Sequence, residues 1–155
     1  MAGPERVSEL LQAYQESRAA LMKAIEGLSE AQMEERSIDR WSVKNHLAHV
    51  VQWDELRYLE INRISHGHQS LLRGMTDEQV EFFNAMSAEL RGAISWAQLQ
   101  WELDTSRARV LDAIRNITTE GLDESRYGEA GLSGGARHEQ EHAESIQRWR
   151  AAKGF

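Results

Sequence analysis

The sequence predicts an all-α protein, a four-helix bundle with a short extra helix in the crossover between the second and third long helices. Three observations carry this. Apolar residues recur at helical spacing through four long stretches, and no stretch alternates in the manner of a strand. A single proline, Pro4, leaves those stretches free to run as helices. Amphipathic helices of this number bury their stripes against one another as a bundle. A chain of 155 residues is long enough for one substantial core, so residues 1–155 read as a single domain.

The first helix starts at Pro4, a position where the missing N–H costs nothing. Val7, Leu10, Leu11, Tyr14, Leu21 and Ile25 follow at helical spacing, and Gly27 supplies a stop. Ser42 caps a second helix running to about Ser65, with Val43, Leu47, Val50, Trp53, Ile61 and Ile64 on its apolar side. Thr76 with Gln79 is a capping box that opens the short crossover helix, which carries Val80, Phe83, Met86 and Leu90. Ser95 with Gln98 reads as another box, opening a long helix striped by Leu99, Leu103, Ser106, Val110, Ile114 and Ile117. The last helix spans roughly Gly135 to Ala152, and the glycine-bearing stretches near 66–75 and 119–135 are long loops. No internal repeat is present.

Composition narrows the chemistry. The absence of cysteine excludes disulfides, thiolate nucleophiles and Cys-based zinc sites, so any metal must be held by nitrogen and oxygen. A net charge of -7, with 18 basic residues scattered among 25 acidic ones, argues against a nucleic-acid partner, which needs clustered Lys and Arg. The opening MAGPERVSELL lacks the basic and apolar regions of a signal peptide, and no apolar run is long enough to span a membrane. The expectation is a cytoplasmic protein that neither binds nor crosses a membrane.

The segment HEQEH, residues 138–142, fits both the H-E-x-x-H pattern of zinc proteases and its inverted form. The context does not support proteolysis. In the extended form of the motif the glycine and third-histidine positions hold Ser145 and Arg148, and no edge strand offers a place for a peptide. On a helix, however, His138 and His142 are four apart and point to the same side, so they can share one cation. The helical wheel groups them with Ser145, Ile146, Trp149 and Ala152 on the inward face of an otherwise polar helix. A buried imidazole needs a partner, and the bland alternative is that each satisfies a hydrogen bond in the core.

Without cysteine, a third ligand must be histidine or carboxylate. Of the four remaining histidines, His66 and His68 belong to a glycine-containing loop tip, where solvent is the expected neighbour. His46 and His49 both lie toward the apolar side of the second helix; His46 is nearer the centre of the inward face, and spacing does not choose between them.

WSVKNHLAHVVQWDE, followed about 90 residues later by HEQEHAESIQRWR, resembles the DinB/YfiT-like superfamily of four-helix metalloproteins. That superfamily carries W-S-x-x-x-x-L-x-H at the start of its second helix and H-x-x-x-H, often followed by I-x-x-W, near its C-terminus. The resemblance implies His49, His138 and His142 as ligands of one divalent metal, with Trp41 opening the first element and Trp149 closing the second. GLSEAQMEERSI and FFNAMSAELRGAISWAQL are similar to the branch containing the colibactin self-resistance protein and DfsB-like proteins. The resemblance further implies up-down-down-up topology, a homodimer, and relatives that transfer sulfur from low-molecular-weight thiols. With the second and fourth long helices antiparallel and all three ligands near helix starts, the last helix must be offset along the bundle axis.

Three neutral imidazoles leave an open position on a divalent ion, which suits zinc or nickel. Two enzymatic expectations follow for a small-molecule substrate: hydrolysis by metal-bound hydroxide, or S-transfer from a low-molecular-weight thiol. A non-catalytic protein that sequesters a small molecule is the alternative, with Trp41, Trp53, Trp96, Trp101 and Trp149 available to line a cavity or to pack core and interface. Glu139 and Glu141 are weak candidates for a general base; on the helix flanks they read more readily as solvated carboxylates. Asp54, on the inward side of its helix, is a candidate acceptor for a ligand N–H, with a salt bridge to arginine as the competing reading.

Overall fold

Pro4 opens the first helix, α1 (Pro4–Ile25), which ends where Gly27 takes φ 77°, a left-handed turn that glycine adopts without strain. In the computed structural model, which describes residues 4–117, 124–129 and 131–155, six further helices follow: α2 (Glu30–Glu34), α3 (Val43–Ser65), α4 (Asp77–Gly92), α5 (Trp96–Arg115), α6 (Glu124–Glu129) and α7 (Leu132–Lys153). Among the described residues there is no strand, only an isolated bridge between Ile38 and Trp41.

The caps explain most of the helix starts. Ser42 and Asn45 form a capping box on α3: Ser42 Oγ accepts the Asn45 N–H at 3.1 Å and Asn45 Oδ1 accepts the Ser42 N–H at 3.0 Å. Thr76 and Gln79 do the same for α4. Ser95 caps α5 but does not complete a box, because the Gln98 side chain donates forward to Glu102 at 3.1 Å instead of accepting from Ser95. A box not expected from the sequence, Ser29 with Gln32, opens the short helix α2.

Three boundaries differ from expectation. The crossover helix α4 is 16 residues long and lies against α3; Trp53 packs edge-on to Phe83 and donates to Asn84 Oδ1 at 2.9 Å. A helix of that length buries one face on a neighbour, which a short connector could not. The last long helix starts at Leu132 after Gly131 takes φ 67°, three residues before the expected start. Of the second expected loop, 119–123 and 130 lie outside the described residues, and much of the remainder is helical, in α6 and the start of α7.

The core is split into two apolar halves. One gathers the end of α1 (Leu21, Ile25), the starts of α3 (Val43, Leu47) and α5 (Leu99, Leu103), and the end of α7 (Ile146, Trp149). The other gathers the start of α1 (Leu10, Tyr14), the ends of α3 (Ile61, Ile64) and α5 (Val110, Ile114), and the start of α7 (Leu132, Ala136). Thus α1 and α7 run one way and α3 and α5 the other, the up-down-down-up arrangement. The required axial offset comes from the early start of α7. It makes His138 the seventh and His142 the eleventh residue of that 22-residue helix, so both lie well inside it.

Between the two halves sits a buried ionic tetrad, one residue from each long helix. Arg18 of α1 donates to Asp54 of α3 at 2.8 Å and to Glu139 of α7 at 2.5 Å. Arg107 of α5 holds Asp54 bidentately, at 3.0 Å through Nε and 3.0 Å through Nη2, and also donates to Glu139. Spare donors are used on the main chain: Arg18 reaches the Leu103 carbonyl at 2.5 Å and Arg107 the Tyr14 carbonyl at 2.6 Å. Such a cluster fixes the relative height of four helices, because sliding any one of them strands a buried charge. A third guanidinium, Arg57, approaches Asp54 at 3.4 Å and packs over Gly135, where an added Cβ would collide with both Arg57 and Tyr14 Oη.

Candidate metal centre

His49 is the seventh residue of α3 and His138 the seventh of α7, and the two helices bring their rings together at the seam. His49 Nε2 lies 3.2 Å from His138 Nε2, and His142 Nε2 lies 3.2 Å from the same atom. Ligand atoms of all three residues fall within 4.8 Å of one another. Two nitrogens sharing a tetrahedral ion at about 2.0–2.1 Å would be about 3.3 Å apart, so the observed spacing fits co-ligation. Four apart on α7, His138 and His142 present their rings at 4.6 Å, as the helical repeat requires.

The donor set is neutral. Burial drives the His49 pKa down to about 3 and the His142 pKa down to about 2, assisted by neighbouring histidines. Burial likewise lowers His46 to about 4 and depresses His138, with Arg57 adding to the effect on His138. Imidazoles kept unprotonated retain the lone pairs a metal needs. With Nε2 of His49 turned to His138 and Nε2 of His142 turned to the same ring, the three lone pairs converge on one point between α3 and α7. The residues therefore fit a divalent ion.

The same shifts set a pH dependence for the metal-free protein. Each lowered histidine contributes stability that is fully present above its unfolded pKa of about 6.5 and is lost as pH falls toward its folded value. Asp54 does not interfere: burial alone would raise it, but Arg107, Arg18 and Arg57 outweigh that and hold it below the usual 3.8, so its loss comes only under stronger acid. Urea unfolding of metal-free protein should show stability falling between pH 6.5 and 4.5 by up to about 1.4 kcal/mol per pH unit for each such histidine. A flat profile across that window would contradict the buried, neutral cluster.

Burial along α7 corrects the helical wheel. The buried line is Leu132, Ala136, Glu139, Ala143, Ile146 and Trp149, while His138 and His142 are half-buried along its edge and Ala152 is exposed. Glu139, expected to be a solvated flank carboxylate or a weak base, is 2% exposed and committed to the ionic tetrad with Ser17 adding a hydrogen bond. Asp54 takes no hydrogen bond from a histidine among those described; its oxygens are occupied by arginines, so the salt-bridge reading replaces the acceptor role. Glu141 is exposed and pairs with Arg137 at 3.3 Å.

The loop histidines stay apart. His66 and His68 stack at 6.5 Å, and His66 Nδ1 contacts the Asn62 carbonyl at 2.8 Å. Trp41 and Trp53 flank the cluster, at 5.1 and 6.1 Å from the His49 ring. Trp149 is buried with its Nε1–H on Ser37 Oγ, and Trp101 is exposed. Two features escaped the sequence reading. Arg18 and Arg107 fall on the apolar stripes of their helices, at i+4 from Tyr14 and from Leu103, and a charge on a buried stripe is the signal that could have revealed the tetrad. The other feature is the contact of His46 with His142, which spacing along one helix does not encode.

A family model described as the DinB superfamily matches residues 13–146. The chain belongs to the DinB superfamily. The match spans both histidine-bearing helices and identifies the superfamily as a whole, not a branch within it. Comparison with curated proteins and with solved structures gave no match. Membership of the DinB superfamily and a three-histidine cluster able to hold a metal ion together support a metal-binding protein. Among the described residues no helix is long and apolar enough to cross a membrane.

Proposed function

We propose that this DinB protein is a metal-dependent enzyme that joins a low-molecular-weight thiol to an electrophilic small molecule, with zinc or nickel held by His49, His138 and His142. The observation that carries the choice of nucleophile is the fate of the carboxylates. Hydrolysis by an activated water is commonly helped by a nearby carboxylate base, and here Glu139 and Asp54 are bound by arginines while Glu141 faces solvent. A thiol is acidic enough to lose its proton to solvent without such a base. Its sulfur then forms the C–S bond as the electrophilic carbon's leaving group departs with its electron pair.

A divalent ion bound by these residues would supply Lewis-acid charge that lowers the pKa of a thiol or water in its open position. The protein's own residues supply the rest. Neutral imidazoles leave that charge undiminished. The arginine cluster behind them holds three guanidiniums, Arg18, Arg57 and Arg107, against two carboxylates, Asp54 and Glu139, and this surplus favours an anionic sulfur over a neutral one. Trp41 and Trp53 offer apolar walls beside the rings. The exposed row Phe82, Met86 and Leu90 on α4 supports the pairing of two chains expected from the resemblance.

The test is thioether formation by metal-loaded protein, followed by mass spectrometry with several small thiols and a general electrophile. The expected result is multiple turnovers that require metal and thiol together and vanish in His142→Ala. One equivalent of small molecule taken up with no product would contradict catalysis and favour the sequestering alternative.

A further inference from the structure

The fourth histidine of the cluster, His46, is not accounted for by the ligand set. Its Nδ1 lies 2.7 Å from Nδ1 of His142. That separation is a hydrogen bond and is too short for two nitrogens on one ion, which stand about 3.3 Å apart at tetrahedral angles. Ligand-to-ligand contacts in the same cluster are 3.2 Å and use Nε2 on both sides. His46 therefore meets His142 on the side facing away from the ion.

We propose that His46 is the positioning residue that fixes the tautomer and ring orientation of His142, and so sets the metal affinity of the site. The inference rests on the three-histidine reading. For His142 to present the Nε2 lone pair, its proton must sit on Nδ1, and that N–H needs an acceptor. His46 Nδ1 is the acceptor in contact, so the His46 proton is on Nε2, the atom that is buried without a partner. His46 is itself clamped: it is 6% exposed, on the first turn of α3, with its ring T-shaped to Trp41 at 5.2 Å. In many metal sites a carboxylate takes this outer place. A neutral imidazole orients the ligand equally well and adds no negative charge, which keeps the ion a stronger acid.

Two variants separate positioning from packing. His46→Leu keeps bulk and burial but removes the acceptor, whereas His46→Asn places Oδ1 where the imidazole has Nδ1. Zinc affinity is read by competition with a chromophoric chelator, using Zn(II) alone as the probe. The leucine variant should bind zinc about 10–100-fold more weakly, the asparagine variant should recover most of that loss, and thermal unfolding of the metal-free proteins should not follow the same order. Equal affinity in parent and leucine variant, or an asparagine variant as weak as leucine, overturns the proposal. Long-range proton–nitrogen NMR of the zinc-loaded parent decides independently of how either variant folds: a proton on His46 Nε2 with none on His46 Nδ1 supports it, and a proton on His46 Nδ1, which could not then accept from His142, overturns it. A parent that binds no zinc defeats the three-histidine reading itself, whereas a parent that binds zinc with indistinguishable His46 variants defeats only the present inference.

Discussion

Asp54→Ala is expected to unfold about 3–5 kcal/mol more readily than the parent, the loss typical of breaking a buried ion pair by removing one partner. Asp54 is 1% exposed and answers Arg18, Arg107 and Arg57 at once. Without it, Arg18 and Arg107 share Glu139, Arg57 loses its contact with Asp54, and sections of all four long helices lose their common anchor. Asp54→Asn, which keeps the volume and one acceptor oxygen, should fall between the two. Urea unfolding at pH 7 checks this, and an alanine variant within about 1 kcal/mol of the parent, the range of an exposed ion pair, would show that the tetrad does not bear on stability.

Alanine at His49, His138 or His142 should each weaken zinc binding by more than the roughly 10–100-fold expected from losing an outer partner. Two imidazoles hold a divalent ion poorly, and among the described residues the nearby candidates to replace the third are committed elsewhere: Glu139 is in the tetrad and His46 faces the far side of His142. The six histidines thus fall into an order. The three seam residues matter most, His46 less, and the double variant His66→Ala with His68→Ala not at all, because that pair lies in a separate loop. Chelator titrations of the set establish the order, and a double loop variant that lost zinc would move the site out of the bundle.

How much of this could be read from the chain follows from which interactions are local. Helix starts were legible wherever a side chain caps its own backbone, as at Ser42 and Thr76, because sequence spacing fixes that geometry. The His138–His142 pair was legible for the same reason, being set by the helical repeat. The choice of His49 over His46 was not, since both imidazoles turn inward; resemblance selected His49, and the structure places it with His138 while His46 contacts His142. The burial of Glu139 is not legible, because a wheel drawn for apolar residues discards a carboxylate, yet two arginines from distant parts of the chain make that position the centre of the buried line. The length of α4 depended on the α3 surface it covers, a tertiary reward that a local pattern does not announce.

The central claim, one divalent ion held by His49, His138 and His142, is tested most directly by metal analysis of the parent and of His49→Ala after equilibrium dialysis against Zn(II). The account predicts one zinc per chain retained by the parent and none by the variant, with both remaining helical by circular dichroism. A parent that retains no zinc, or a His49→Ala variant that keeps a full equivalent, would contradict it.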